Sequence, residues 1–274
     1  MTTFQTPGKV KLRISLGAGD VQIASHAEPR VDIELIPLRN DEATRAAIDE
    51  AVVEARERGD RTEIIVEIPR KGGWGFLGRG PSVGVRVHCP EATSADVSSA
   101  SADVTTRGPL ADIEVKSASG DVAVETVASL RATTASGDVS AVEVMGEANV
   151  KTASGDVEIR LSHGALSLNL ASGDAMVGDA KGPVSVATVS GDQEIRAVES
   201  GEVKLQSVSG DVRVGIRPGR RLWIDATSVS GSMTSELPME TGPEGPGGAD
   251  PEIELRARTV SGDVRIVRAA PAHV

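Results

Sequence analysis

A triplet, Ser-Gly-Asp or a close variant, returns along this chain at a nearly fixed interval. Its third residues are Asp103, Asp121, Asp138, Asp156, Asp174, Asp192, Asp211, Ser232 and Asp263, separated by 18, 17, 18, 18, 18, 19, 21 and 31 residues. Self-similarity of this kind restricts a chain to architectures in which each repeat buries its apolar side against the next. Within one repeat, apolar and polar residues alternate from Asp156 to Leu161, pause at Ser162-His163-Gly164, and alternate again from Ala165 to Ser172. Each repeat therefore reads as two short strands and two turns.

Equivalent positions in successive turns of such a stack stand about 4.8 Å apart, so columns can be read across repeats. After the triplet, one inward column holds Val122, Val139, Val157, Ala175, Gln193, Val212, Met233 and Val264. Two residues further on come Val124, Ala141, Ile159, Val177, Ile195, Val214, Ser235 and Ile266. Gln193 and Ser235 are the exceptions. Before the triplet, Ser117, Thr134, Thr152, Leu170, Thr188, Ser207, Ser228 and Thr259 form one column, and the serines from Ser119 to Ser261 form another that shares its parity. Small and β-branched side chains suit like-on-like stacking, which accounts for a chain with two Trp, two Phe and no Tyr. The glycine supplies a backbone conformation with φ > 0, and the Asp or Ser can bond nearby turn amides.

The expected fold class is all-β: a two-sheet parallel β-solenoid of about 18 residues per coil and about nine coils, with an N-terminal β-rich cap containing one α-helix. The cap is expected over 1–90, the repeats over 91–268, and a flexible tail over 269–274. Strands are expected at Val10–Leu16, Val21–Ala24, Val31–Pro37, Arg61–Ile68 and Val83–His88. Helical spacing of Ala47, Ile48, Ala51, Val52 and Ala55, with Asn40 or Asp41 as N-cap and Gly59 at the end, predicts a helix over about 41–58. Gly17-Ala18-Gly19-Asp20-Val21 reads as a degenerate first triplet. Insertions fall at Arg217–Arg221 and Pro238–Pro251, and Glu252–Arg268 is expected as the closing coil.

Composition excludes several functions. The 29 basic against 40 acidic residues give a net charge of −11, the wrong sign for a general nucleic-acid binder, and four aromatics cannot build a base-stacking platform. One cysteine, Cys89, with four scattered histidines makes neither a disulfide framework nor a cysteine-rich zinc site. No run of 18 apolar residues is present and the start, Met1–Lys11, lacks a secretory pattern, so a cytoplasmic location is expected, with surface association left open.

The repeats Ser-Ala-Ser-Gly-Asp-Val at 117–122 and Thr-Ala-Ser-Gly-Asp-Val at 134–139 and 152–157 resemble those of the bacterial putative-adhesin family of toast-rack-like β-repeat proteins. Phe4-Gln5-Thr6-Pro7, followed by Gly17–Val21, is similar to the opening of actinobacterial members. The resemblance spans nearly the whole chain and implies the fold; it brings no catalytic residues and no cofactor.

Three motifs carry alternative chemistry. Gly73–Gly78 matches G-x-G-x-x-G, and Gly80–Gly84 matches G-x-S-x-G with Ser82 and His88 on one strand. Each needs a helix that the pattern does not supply. The glycine-rich loop 72–80 places Trp74 and Phe76 beside Arg70, Lys71 and Arg79, so Trp74, Phe76 and Arg79 are candidate partner-contact residues at a protein or membrane surface. The Asp column, including Asp121, Asp138, Asp156, Asp174, Asp192 and Asp211, is expected to bond turn amides; a row of Ca²⁺ ions is its alternative reading. The functional expectation is a non-enzymatic interaction or scaffold module that presents a repetitive surface to a protein or cell-envelope polymer, with no cofactor. The alternatives are a polysaccharide-processing β-helix enzyme and end-to-end self-assembly through the solenoid ends.

Overall fold

A computed structural model describes residues 1–69, 80–237 and 252–270. The chain divides into two compact units, Met1–Asp138 and Val139–Val274.

In the second unit the alternating segments become two walls of parallel strands. One wall holds β10 (Ala148–Ser154), β12 (Leu166–Ser172), β14 (Val184–Ser190), β16 (Gly201–Ser209), β18 (Leu222–Ser230) and β20 (Ile253–Ser261). The other holds β9 (Val139–Val144), β11 (Val157–Ser162), β13 (Ala175–Ala180), β15 (Gln193–Val198), β17 (Val212–Ile216), β19 (Met233–Ser235) and β21 (Val264–Arg268). Register confirms the columns: Val139 lies beside Val157, then Ala175, Gln193, Val212 and Val264. All six are at most 2% exposed. Inward-facing aliphatics of both walls form the core.

One column reading is corrected, and one exception is explained. Thr152, Thr188, Ser207 and Thr259 are buried as expected, but the next serine column, Ser154 to Ser261, is exposed rather than inward, because the ladder passes over the residue between the two columns and the alternation breaks there. Gln193 is buried in an aliphatic column because its amide nitrogen has partners there. Nε2 donates to Thr188 Oγ1 at 2.8 Å and to the Gln206 carbonyl at 2.7 Å.

The order of the last coils also differs from the sequence. β16 pairs with β20, and β20 pairs with β18; likewise β17 pairs with β21 and β21 with β19. Glu252–Arg268 was the expected closing coil, yet it lies between the two coils that precede it in sequence, and β18/β19 forms the terminal rung. Through 217–221 the chain skips a rung space, which Glu252–Arg268 then fills.

The first unit shows the same device. Its strands are β1 (Thr2–Gln5), β2 (Lys9–His26), β3 (Arg30–Pro37), β4 (Val52–Arg58), β5 (Arg61–Glu67), β6 (Ser82–Pro90), β7 (Ser94–Ser119) and β8 (Val122–Ser136). Long β2 turns a corner at Gly19, and its two halves are held between β5 and β6 on one side and β7 on the other. Asp20 lies beside Asp103 and Val21 beside Val104, so the degenerate triplet is a true first corner. Outside this rung, β4 covers β5 and β3 covers β6, both antiparallel, and β1 covers β3.

The helix expected over 41–58 is shorter. Helix α1 spans Glu42–Asp49, with Asp41 Oδ1 accepting the Thr44 N–H at 2.7 Å as N-cap and Ala47 buried beneath it. Residues Val52–Arg58 are instead strand β4. A β-branched pair, Val52-Val53, and an unpaired edge on β5 outweigh the helical spacing. Gly59, at φ 65°, turns the β4–β5 hairpin.

Candidate functional site

The corner triplets form a hydrogen-bonded ladder. In the first unit the N–H of Asp121 donates to Asp103 Oδ1 at 3.0 Å, and that of Asp138 to Asp121 Oδ1 at 2.9 Å. In the second unit Asp174 donates to Asp156, Asp192 to Asp174, Asp211 to Asp192 and Asp263 to Asp211, each at 2.8 Å, and Ser232 donates to Asp263 at 2.9 Å. Each carboxylate thus receives the main-chain N–H of the next coil in space. The row ends at Ser232, the corner of the terminal rung. The Ser232 amide and hydroxyl, then Arg265, hold the Asp263 carboxyl below the usual carboxylate range.

This geometry gives the aspartates a structural duty. Among the described residues, no group of three or more His, Cys, Asp or Glu side chains is placed to hold a metal ion. Asp192→Ala removes the acceptor for the Asp211 N–H and is expected to destabilise the second unit by about 1 kcal/mol. Asp192→Asn keeps an oxygen acceptor and relieves like-charge crowding, so it should cost less than Asp192→Ala. Chemical denaturation ranks the two, and melting with chelator against millimolar Ca²⁺ should give one curve for the unsubstituted protein. A Ca²⁺-dependent rise in melting temperature would restore the metal reading.

The corners also line up an outward column that inward-directed pattern reading overlooks. The residue two before each corner glycine is Ala153 and Ala171 in the first rungs of the second unit, then valine in the next four. In spatial order these are Val189, Val208, Val260 and Val229, at 56%, 50%, 49% and 82% exposure. Four neighbouring strands therefore present one apolar ridge. Its signal was visible in the sequence as the change from alanine to valine. Further along the same wall stand Lys204, Arg256 and Arg258, with Arg256 5.7 Å from the centre of the Trp223 ring and Arg258 3.6 Å from Asp225.

Other features carry less. Ser82 and His88 both lie on β6, six residues apart, which at about 3.3 Å per residue puts them near opposite ends of one strand and out of reach of each other. Ser82 begins that strand, so the G-x-S-x-G segment forms no strand-to-helix elbow. Cys89 is buried, and desolvation pushes its thiol up to about 11, far from a nucleophile's range. A cavity of about 450 Å³ in the second unit is lined by Arg217, Arg220, Glu252 and Ala269. Its cations are already spent on carboxylates, Arg217 on Asp179 and Arg220 on Glu199 and Glu252. Trp74, Phe76 and Arg79, with the G-x-G-x-x-G segment, lie outside the described residues.

Residues 47–268 match the family described as Toastrack DUF4097. The chain belongs to that family. Solved structures with likeness to this Toastrack chain include a putative adhesin from Bacteroides fragilis, 10% identical over 97% of this chain and 95% of the other, with a TM-score of 0.38. A putative adhesin from Parabacteroides distasonis is 12% identical over 97% and 95%, with a TM-score of 0.39. A putative lipid binding protein from Parabacteroides distasonis is 12% identical over 96% and 95%, with a TM-score of 0.31. A search of curated proteins finds no match. Among the described residues, no helix is long and apolar enough to cross a membrane.

Proposed function

We propose that this Toastrack protein is a non-enzymatic interaction or scaffold module that presents its repeated outward columns to a protein or cell-envelope polymer. The observation that carries the reading is the in-register ridge Val189–Val208–Val260–Val229, which the fold itself does not need: these side chains contribute nothing to the core and stand about half or more exposed. Evenly spaced rows about 4.8 Å apart on a hydrogen-bonded wall present an apolar edge, a surface suited to an extended, repeating partner.

Val208→Asp combined with Val260→Asp changes two exposed side chains and should leave the melting temperature nearly unchanged. Co-sedimentation with purified cell-envelope polymer and with envelope protein fractions is expected to fall tenfold or more in this double variant. Trp74→Ala, run beside it, tests the glycine-rich loop as the contact. Binding unaffected by either change, or no binding by the unsubstituted protein to any envelope fraction, would overturn the reading.

A further inference from the structure

Among the described residues, the terminal rung of the second unit is open on one side: β18 pairs only with β20 and β19 only with β21. The effect shows in burial. Ile253 and Leu255, one rung in, are fully buried at 0%, while their neighbours Leu222 and Ile224 on β18 are only half-buried and Met233 on β19 is 52% exposed. A strand edge left this way displays unpaired N–H and C=O groups and is usually blunted by charge, proline or a covering element. In the first unit that is done by the antiparallel strands β4 and β3, with Glu54, Arg56, Glu57 and Arg58 on β4. By contrast β18, Leu-Trp-Ile-Asp-Ala-Thr-Ser-Val-Ser, has one charge and no proline.

We infer that the β18 edge is a homodimer interface, in which two copies of this chain pair β18 with β18 antiparallel about Ala226. Three observations select that occupant and that orientation. First, the corner ladder stops at Ser232, so no carboxylate is offered to the corner N–H of a further coil stacked in the parallel sense. Head-to-tail growth lacks the acceptor that every preceding corner of the ladder uses.

Second, the Arg221 carbonyl points toward β20, where it accepts the Ile253 N–H at 3.1 Å. By alternation the main-chain groups of Leu222, Ile224, Ala226 and Ser228 point to the free edge; the ladder passes over Val229 at the corner, so that the Ser230 carbonyl again faces β20. Pairing about Ala226 sets Ala226 opposite its own copy and Ile224 opposite Ser228 in hydrogen-bonded pairs, with Asp225 opposite Thr227 and Trp223 opposite Val229 in the closer non-hydrogen-bonded pairs between them. Third, the side chains agree with that register. The only charge on the strand, Asp225, meets Thr227 and never its own copy. Val229, the most exposed valine at 82%, is covered by the Trp223 ring of the second copy, an aromatic–β-branched cross-strand pair. The inward residues Leu222, Ile224, Ala226 and Ser228 stay on the inward side.

Sedimentation velocity on the full chain from about 1 to about 100 µM is expected to show a monomer–dimer equilibrium and nothing larger. Ala226→Pro removes one edge-facing N–H without touching a bond to β20, and Val229→Lys places a charge at the seam on a side chain that is already exposed. Each should weaken dimerisation tenfold or more while the melting temperature measured at low concentration holds. A monomer at every concentration overturns the inference. So does growth past the dimer, or a dimer that both variants leave intact.

Discussion

Gly191→Ala is expected to destabilise the second unit by roughly 3 kcal/mol or more, one of the largest effects of any single methyl group added to this protein. Gly191 has φ 134°, in the region that side-chain-bearing residues rarely enter. A Cβ built on it would lie 2.1 Å from the carbonyl oxygen of Gly173 and 2.7 Å from its carbonyl carbon. Backbone strain contributes about 1–3 kcal/mol. Overlap with a main-chain carbonyl held in the next corner adds about 1–3 kcal/mol more, since the coil below cannot move without breaking its own ladder bond from Asp192 to Asp174. Gly219→Ala separates the two causes. Gly219 also has positive φ, at 81°, but no atom lies within 4 Å of its added Cβ, so strain alone should cost about 1 kcal/mol. Urea denaturation of both variants decides the matter. Equal losses would mean that close stacking of the corners is not what demands glycine.

Such corners are why so much of the architecture was legible. A residue that recurs because each coil meets the last at van der Waals distance leaves a periodic trace, and Gly173, Gly191 and Gly210 each stand against the glycine before them. What a period cannot carry is adjacency. Equivalent residues are identified by the repeat, but nothing in Ser232 or Asp263 taken alone says which follows Asp211 in space. The clues were there as column defects: Ser232 without a carboxylate, Met233 and Ser235 in aliphatic columns. These are the marks of an end rung, and with β20/β21 placed next to β16/β17 the columns run Val212–Val264 and Val214–Ile266 without a break.

The shortened helix has another origin. Spacing within 41–58 fits a helix, yet the bare edge of β5, a long-range demand invisible to local pattern, draws Val52–Arg58 into a hairpin. The functional surface was least legible. Pattern reading follows the inward positions, where packing constrains the residue type, so it gives no weight to the outward valines at 189, 208, 229 and 260, each set between two hydroxyl residues.

Deleting residues 252–274 should remove far more than one coil. Ile253, Leu255, Val264 and Ile266 are at most 3% exposed and would each forfeit roughly 1.5–3 kcal/mol of burial. Their loss also strips two other rungs of their partners. The N–H groups of Gly210 and Val212 donate to the carbonyls of Ser261 and Asp263, at 3.0 and 2.8 Å, and the whole of β18 is held through β20. Hydrogen exchange is therefore expected to show the amides of β16, β17, β18 and β19 deprotected together, with β9 to β13 retaining protection nearest the opposite end of the unit. A stack built in sequence order predicts the reverse: removal of its last coil would leave Gly210 and Val212 bonded to the 222–235 rung and still slow to exchange. Slow exchange at those two amides in the truncated chain would refute the interleaved order. If they exchange fast, the C-terminal segment acts as the inserted rung that fastens the end of the unit, and the exposed state of β18 follows from its being the last strand in space although not the last in the chain.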